Sequence, residues 1–192
     1  QYDTFVRLDM ESSHYTQKTL DLFERAFYPG FEKHVGIVLQ SYLYRTPKDV
    51  ARAIELGCRV RICKGAYKEP ESVAFPDKAD VDRTYVDCMK DLMKRGHYPG
   101  IATHDEAIIA EAKRFATAEG IARDRFEFQM LYGVRRDLQE RLVREGYRMR
   151  CYVPFGTQWY PYLMRRLAER PANVAFMTGN VIREWLGGRS AH

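Results

Sequence analysis

The sequence predicts an α/β fold of the (β/α)8 TIM-barrel type that is incomplete, with six of the eight βα units present. Three observations support this prediction. Short apolar runs alternate with amphipathic helical stretches along the whole chain, which is typical of a parallel sheet with crossover helices. No strand is followed by the GxGxxG turn of an open dinucleotide-binding sheet. Polar residues stand at the carboxyl end of nearly every predicted strand, where a barrel gathers its active site.

Six strands are expected, each of ordinary length and mostly apolar, as in strands buried on both faces of a sheet. They are Phe5–Met10, Val35–Gln40, Arg59–Lys64, Gly100–His104, Phe126–Leu131 and Arg148–Phe155. The polar residues near their ends are Asp9, Gln40, Lys64, His104, Gln129 and Tyr152. An open sheet would concentrate its ligands at one switch point, so this spread over several strands favours a barrel.

Helices are expected between the strands and after the last one. They lie near Thr16–Phe27, Thr46–Leu56, Val81–Lys94, Asp105–Glu119, Leu138–Glu145 and Trp159–Glu169. Thr46 before Pro47 predicts an N-cap, Gly57 stands where a helix C-terminal glycine belongs, and Asp105 predicts another N-cap. We expect residues 1–186 to form the partial barrel and residues 187–192 to form a loose tail.

The composition is that of a globular protein and argues against several functional classes. Of the 192 residues 45% are hydrophobic and 30% charged. No apolar run approaches the ~20 residues that span a bilayer, and no signal peptide opens the chain, so a cytoplasmic location is expected. Cysteine and histidine have no zinc spacing, so no metal is expected. The net charge of +5 gives no support for nucleic-acid binding, but an anionic ligand or membrane surface remains compatible.

The doublet Arg165-Arg166 is the clearest chemical feature of the chain. Two guanidiniums can grip one carboxylate through paired, charge-assisted hydrogen bonds. Tyr162 precedes them by three and four residues, so it shares their side of a helix. Basic doublets are common on ordinary helix surfaces, but the position of this one after the last strand favours a carboxylate site.

Seven short stretches, in order along the chain, resemble the bacterial monofunctional proline dehydrogenases. They are Val6–Glu11, Gly36–Gln40, Val60–Tyr67, Ile101–His104, Phe126–Gly133, Tyr152–Gly156 and Tyr162–Leu167. The resemblance implies a distorted barrel that binds FAD at its carboxyl-terminal rim and oxidises L-proline to Δ1-pyrroline-5-carboxylate by hydride transfer. It also implies a quinone as electron acceptor, and with it peripheral contact with the inner face of a membrane. The resemblance leaves open whether the enzyme is an oligomer.

The resemblance also assigns roles to residues. It implies that Asp9 and Arg61 form the catalytic pair. FAD contacts would come from Met10, Gln40, Lys64, Gly65, Ala66, Thr103 and His104. The substrate carboxylate would be held by Arg165 and Arg166, with walls from Tyr67, Leu131, Tyr152 and Tyr162.

The residue types suit these roles, although each has a structural alternative. Reduced flavin is readily anionic, so a fixed Arg61 guanidinium would favour hydride acceptance; a structural ion pair with Asp9 or Glu11 is a compatible alternative. Asp9 could instead cap the next helix, but Ser13 is better placed for that. Gln40 offers both a donor and an acceptor to an isoalloxazine edge.

Departures from the family keep other functions open. The family carries a Lys on a strand before the first one seen here and an Arg after the final helix, and neither is clearly matched. The alternatives are a non-catalytic fragment or pseudo-enzyme, or another flavin barrel resembling methylenetetrahydrofolate reductase, against which the Tyr-x-x-Arg-Arg pattern argues. Because six units leave two strand edges exposed, we expect the chain alone to be poorly soluble or swapped and to bind FAD weakly.

Overall fold

The computed structural model describes residues 4–157, in which strands and helices alternate. The strands are β1 Val6–Leu8, β2 Val35–Gln40, β3 Arg59–Cys63, β4 Gly100–Ala102, β5 Glu127–Leu131 and β6 Arg148–Tyr152. The helices are α1 Ser13–Leu22 with a π-helical continuation Phe23–Phe27, α2 Thr46–Leu56, α3 Lys78–Arg95, α4 Glu106–Ala118 and α5 Arg136–Arg144. The six predicted strands and the first five predicted helices are confirmed. The predicted helix Trp159–Glu169 and the tail lie outside the described residues, so the domain boundaries stay a prediction.

The described strands form one parallel sheet in chain order, from β1 to β6. The sheet is strongly curled. Neighbouring strands lie about 4.8 Å apart, so β3 and β6 would be about 14 Å apart in a flat sheet. Yet the guanidinium carbon of Arg61 on β3 lies 5.1 Å from the ring centroid of Tyr152 on β6. The strands therefore make a half-barrel, which agrees with the predicted barrel type.

The apolar core lies between the convex face of the sheet and the helices. On β3 the side chains alternate, with Val60 and Ile62 buried against the helices and Arg59 and Arg61 half-buried on the opposite, concave face. The same core includes Ile37, Leu39, Ile101, Phe128 and Met130 from the strands and Val50, Ala53, Tyr85, Met89, Ile108 and Leu138 from the helices. Because this layer holds the fold together, the concave face can carry charged residues.

Helix ends confirm two of the predicted caps and correct a third. The Asp105 carboxylate accepts a hydrogen bond from the Ala107 N–H at 3.1 Å, and Gly57 adopts the left-handed conformation with φ 71° after α2. Thr46 is not an N-cap. It is the first residue of α2, and its hydroxyl donates to the carbonyl of Gln40 at 2.5 Å. Because its hydroxyl is hydrogen-bonded to the end of β2, the Thr46 side chain does not cap the helix.

Gly36 on β2 pairs with Arg7 of β1 on one side and with Arg59 of β3 on the other. A Cβ added there would lie 2.5 Å from the Arg59 carbonyl oxygen and 2.8 Å from Cζ of Phe5. Gly36→Ala is therefore expected to lower the free energy of unfolding by about 2–3 kcal/mol, because the ladder must shift. Gly30→Ala, at φ 83° with nothing within 4 Å, should cost only about 1 kcal/mol. Urea unfolding of both variants checks this, and equal losses would contradict it.

Candidate active site

Arg61 is the centre of the mouth of the half-barrel. Its Nη1 lies 3.3 Å from Oδ1 of Asp9, and its guanidinium lies over the ring of Tyr152. The Arg61 side chain is 17% exposed, whereas that of Asp9 is 49% exposed. An ion pair this accessible contributes at most about 1 kcal/mol to stability. The structure places Asp9 and Arg61 in contact, and their roles as the catalytic pair stay a prediction.

Gln40, at the end of β2, presents a buried acceptor to the same mouth. Its Nε2 donates to the carbonyls of Glu11 at 3.2 Å and Met10 at 3.4 Å, the two residues that follow Asp9. Its Oε1 is buried and has no hydrogen-bond partner among residues 4–157. An unsatisfied buried acceptor costs about 1–3 kcal/mol, so the site calls for a donor from a ligand. An N–H of an isoalloxazine ring is such a donor, and the residue therefore fits the predicted flavin.

Lys64 follows β3 and joins it to two helices. Its ammonium lies 2.5 Å from Asp82 Oδ1 and 2.9 Å from Asp105 Oδ2. Burial is the largest influence and would raise the pKa of both carboxyl groups, but the hydrogen bonds and charges of Lys64 and Lys78, joined at Asp105 by the Ala107 N–H, together outweigh it and hold each pKa below its ordinary value. The structure places Lys64 at the rim as predicted, with its charge already engaged, and its contact with FAD stays a prediction.

Gly65 and Tyr67 belong to the connection that follows Lys64. Gly65 has φ 108°, and a Cβ there would lie 2.3 Å from the Tyr42 ring, so only glycine fits. The Tyr67 hydroxyl donates to the Glu11 carboxylate, which brings it above the end of β1. The predicted flavin and substrate residues of this connection thus stand beside the residues after Asp9.

Thr103 and His104 follow β4. The Thr103 hydroxyl is buried and accepts from the N–H of Asp105 at 3.0 Å. His104 Nε2 accepts from the N–H of Leu131 at 3.0 Å, which places the proton of a neutral ring on Nδ1. Leu131 in turn lies opposite Tyr152 in the register of β5 and β6. The two predicted wall residues are therefore neighbours, and His104 is tied to one of them.

The predicted site residues within residues 4–157 stand around one mouth. The predicted catalytic and substrate-wall residues at the concave centre are Asp9, Arg61, Leu131 and Tyr152. The remainder, along the rim from β1 to β4, are Gln40, Lys64, Gly65, Ala66, Tyr67, Thr103 and His104, whereas the Met10 side chain is 5% exposed and packs in the apolar core. Tyr162, Arg165 and Arg166 lie outside the described residues, so their part in the site stays a prediction.

Sequence reasoning missed a buried carboxylate in the interior of the half-barrel. Glu127 is 3% exposed and accepts two hydrogen bonds from Arg150, at 2.6 and 2.9 Å, one from Gln129 at 2.6 Å and one from Tyr98 at 3.2 Å. Gln129 therefore belongs to this interior network and is not the rim residue that was expected. Charged or polar residues at alternate positions of β3, β5 and β6 were the sequence signal for it.

The interior carries an excess of positive charge. Arg7 donates to the Ile37 carbonyl at 3.2 Å. Its burial, together with the neighbouring arginines, outweighs the attraction of Glu127 and lowers the pKa of Arg7 to about 10. Arg59 lies over the rings of Phe5 and Tyr98, at 5.0 and 5.2 Å. Within the described chain neither guanidinium forms a salt bridge with a carboxylate. The mouth above them is therefore electropositive and suits a ligand that is or becomes anionic.

Residues 4–157 contain neither a cluster of metal-ligand side chains nor a membrane-spanning helix. In this part of the chain no three His, Cys, Asp or Glu side chains stand together as a metal site would require. None of its helices combines the length and the hydropathy needed to pass through a bilayer. Within the described residues none of the four cysteines forms a disulfide, and Cys58 and Cys88 are buried.

Comparison with known proteins identifies the family. Residues 1–179 match the family model described as proline dehydrogenase. The chain is 49% identical to Proline dehydrogenase of Deinococcus radiodurans over 95% of this chain and 59% of that protein. It is 52% identical to Proline dehydrogenase 2 of Bacillus subtilis over 92% of this chain and 57% of that protein. The chain thus spans less than three fifths of the length of these curated relatives.

A solved structure agrees with this fold. Proline utilization A from Bdellovibrio bacteriovorus, inactivated by N-propargylglycine, superposes with a TM-score of 0.79 at 34% sequence identity. The match covers 85% of this chain and 20% of that chain. The sequence comparisons and the structural comparison agree, and the chain belongs to the proline dehydrogenase family.

Proposed function

We propose that the protein oxidises L-proline to Δ1-pyrroline-5-carboxylate with FAD as hydride acceptor, and that it passes the electrons to a quinone. The observation that carries this proposal is the mouth itself. A guanidinium, a carboxylate and an aromatic ring meet there, beside a buried amide oxygen that has no partner in the described chain. Relatives named proline dehydrogenase support the choice of substrate.

The residues that would hold FAD follow from the geometry of the rim. Gln40 would accept from the flavin ring through its Oε1, and the connection after Lys64 would approach the pyrophosphate with its backbone N–H groups. Thr103 and His104 would contact the remainder of the cofactor. When bound, FAD supplies the acceptor for the hydride. Arg61 provides fixed positive charge at the mouth, which favours an anionic reduced state without reorganisation.

The substrate would lie over the concave centre. Leu131 and Tyr152 offer an apolar wall of the size of a five-membered ring, and Arg165 and Arg166 would grip the carboxylate. Asp9 holds the Arg61 guanidinium and leaves its carboxylate half exposed, so it can attract the substrate amine. The carbon–nitrogen double bond would form as the ring carbon gives its hydride to the flavin acceptor and the ring nitrogen gives its proton to solvent.

A quinone acceptor implies that the protein works next to a membrane. The sequence carries a net charge of +5, and basic surfaces are attracted to anionic lipid headgroups by about 1 kcal/mol per Lys or Arg. We propose a cytoplasmic protein that contacts the inner face of the membrane peripherally.

The direct test is which compound bleaches the bound flavin. We expect the purified protein, loaded with FAD under anaerobic conditions, to lose its yellow absorbance on addition of L-proline and to regain it on addition of a soluble quinone. A reduced nicotinamide should leave the flavin oxidised. Bleaching by the nicotinamide alone would favour a reductase of the methylenetetrahydrofolate type. A protein whose flavin, at saturating FAD, responds to neither compound would contradict the proposal.

A further inference from the structure

The connection between β3 and α3, residues 64–77, is long for this fold, in which such loops usually have about 2–6 residues. Its second half is fixed by backbone hydrogen bonds to the segment that follows β2. The Phe75 N–H donates to the Tyr42 carbonyl at 2.8 Å, and the Val73 carbonyl accepts from the Tyr44 N–H at 3.1 Å. Residues 65–69, which hold the predicted flavin and substrate contacts, have no backbone hydrogen bond of this kind in the described chain.

Side chains hold this first half in place, and Glu69 is the main one. Its carboxylate accepts from the Ser13 N–H at 2.7 Å, from the Ser13 hydroxyl, and from the Tyr42 hydroxyl at 3.4 Å. Ser13 opens α1, which begins three residues before the predicted Thr16, and Ser12 at the N-cap position makes no capping bond with its side chain. Ser13 was expected to be a cap, but it is instead the donor to an acid 56 positions later in the chain.

Two further contacts extend from this point toward the mouth. The Tyr42 ring, which shares the Glu69 carboxylate through its hydroxyl, packs directly against Gly65. Tyr67 donates to the carboxylate of Glu11, two residues before Ser13. The loop is thus joined to the start of α1 by two acid–hydroxyl contacts, one from each side.

We propose that Glu69 is a positioning residue that latches the β3–α3 loop to the start of α1, and thereby sets where Gly65, Ala66 and Tyr67 stand relative to Asp9. The inference rests on the proposed function for what the loop binds. The latch itself is defined by the contacts of Glu69 with Ser13 and Tyr42. If Glu69 only capped α1, its removal would weaken the helix and leave the loop closed.

Ser13→Pro separates the two possibilities, because proline is favoured in the first turn of a helix and lacks the N–H and hydroxyl that Glu69 accepts. Ser12 has φ −63° and ψ 162°, a conformation that a following proline tolerates. The exposed Lys68 provides a trypsin site inside the loop. Since Ser13 is far from that site in sequence, the substitution does not change the peptide that trypsin recognises.

We expect Ser13→Pro to accelerate trypsin cleavage after Lys68 about tenfold or more, because cleavage follows the population of the open loop. FAD affinity, measured by quenching of flavin fluorescence, should fall severalfold, while the thermal midpoint changes little. Gln17→Ala, on the exposed face of the same helix, should change none of these readouts.

Hydrogen exchange provides a second measurement that does not depend on protease. In Glu69→Ala the Tyr42 amide, which donates to the Lys64 carbonyl at the start of the loop at 2.9 Å, should exchange faster than in the unaltered protein, while the amides inside α1 remain protected. Unchanged cleavage and exchange in both variants would overturn the proposal, and so would loss of protection confined to α1. Faster cleavage in a protein that binds no FAD would leave the latch standing and refute the proposed function instead.

Discussion

Replacing Arg61 by methionine is expected to lower kcat/KM for L-proline by about 10²–10³-fold, the usual loss when one preorganised charge is removed from an active site. Methionine fills a similar length of the concave face but removes the charge that favours an anionic reduced flavin. Folding should change little, because the pair of Arg61 with the half-exposed Asp9 contributes at most about 1 kcal/mol. Anaerobic stopped-flow reduction of the bound flavin by L-proline measures the effect.

Two matched variants make this test specific. Arg61→Lys retains the charge but loses the planar fork that faces Asp9 and Tyr152, so it should fall between the methionine variant and the unaltered protein. Arg52→Met removes an exposed guanidinium that pairs with Glu24 on the helical surface, and it should leave flavin reduction unchanged. An Arg61→Met protein that reduces its flavin at the original rate would show that the mouth is not the reaction centre.

Glu127→Leu is expected to destabilise the fold by about 1–3 kcal/mol, the usual cost of leaving a buried hydrogen-bond donor without its acceptor, because the Gln129 amide is buried whereas Arg150 is 61% exposed and can be hydrated. The carboxylate accepts from Arg150, Gln129 and Tyr98, and it is the buried acid among several interior arginines. Its removal leaves the interior with uncompensated positive charge. Urea unfolding at neutral pH measures the loss, and Glu140→Leu on the exposed face of α5 is the control.

The pH dependence of this effect follows from the pKa of Glu127. Burial would raise the pKa, but the hydrogen bonds and charge of Arg150 outweigh it, so the pKa lies below the ordinary value. The contribution of Glu127 is therefore complete above about pH 4.3, the unfolded value, and is lost as the pH falls through the lower pKa of the folded protein. The difference between the variant and the unaltered protein should thus shrink toward acid pH. A difference that grows there would contradict this assignment.

Most of the fold was predictable because its strands and helices differ in hydrophobic period and each ends at a recognisable residue. The errors arose where a side chain met a partner distant in sequence. Thr46 looks like an N-cap beside Pro47, but the carbonyl of Gln40 binds its hydroxyl. Ser13 likewise looks like a cap, but Glu69 arrives from another loop. The sequence near Thr46 and Ser13 gives no sign of either hydrogen bond.

Site residues at the ends of strands could be predicted from the sequence. Contacts that depend on the curvature of the sheet were harder to predict. Parallel strands place their carboxyl ends at one edge, so Gln40 and Asp9 were expected near each other. The contact of Arg61 with Tyr152 across the two intervening strands, and the pairing of Glu127 with Arg150, depend on the register and curvature of the sheet. The hydrophobic period fixes neither of these, although the alternating charges of β3 and β6 signal a polar interior.

The most direct measurement of the central claim is a crystal structure of the protein with FAD and a carboxylate analogue of proline. We expect the isoalloxazine ring to lie across the mouth, with one of its N–H groups within hydrogen-bond distance of Gln40 Oε1 and with the Arg61 guanidinium beside the ring. A flavin seated elsewhere, or a Gln40 Oε1 that binds only water while FAD is present, would contradict it.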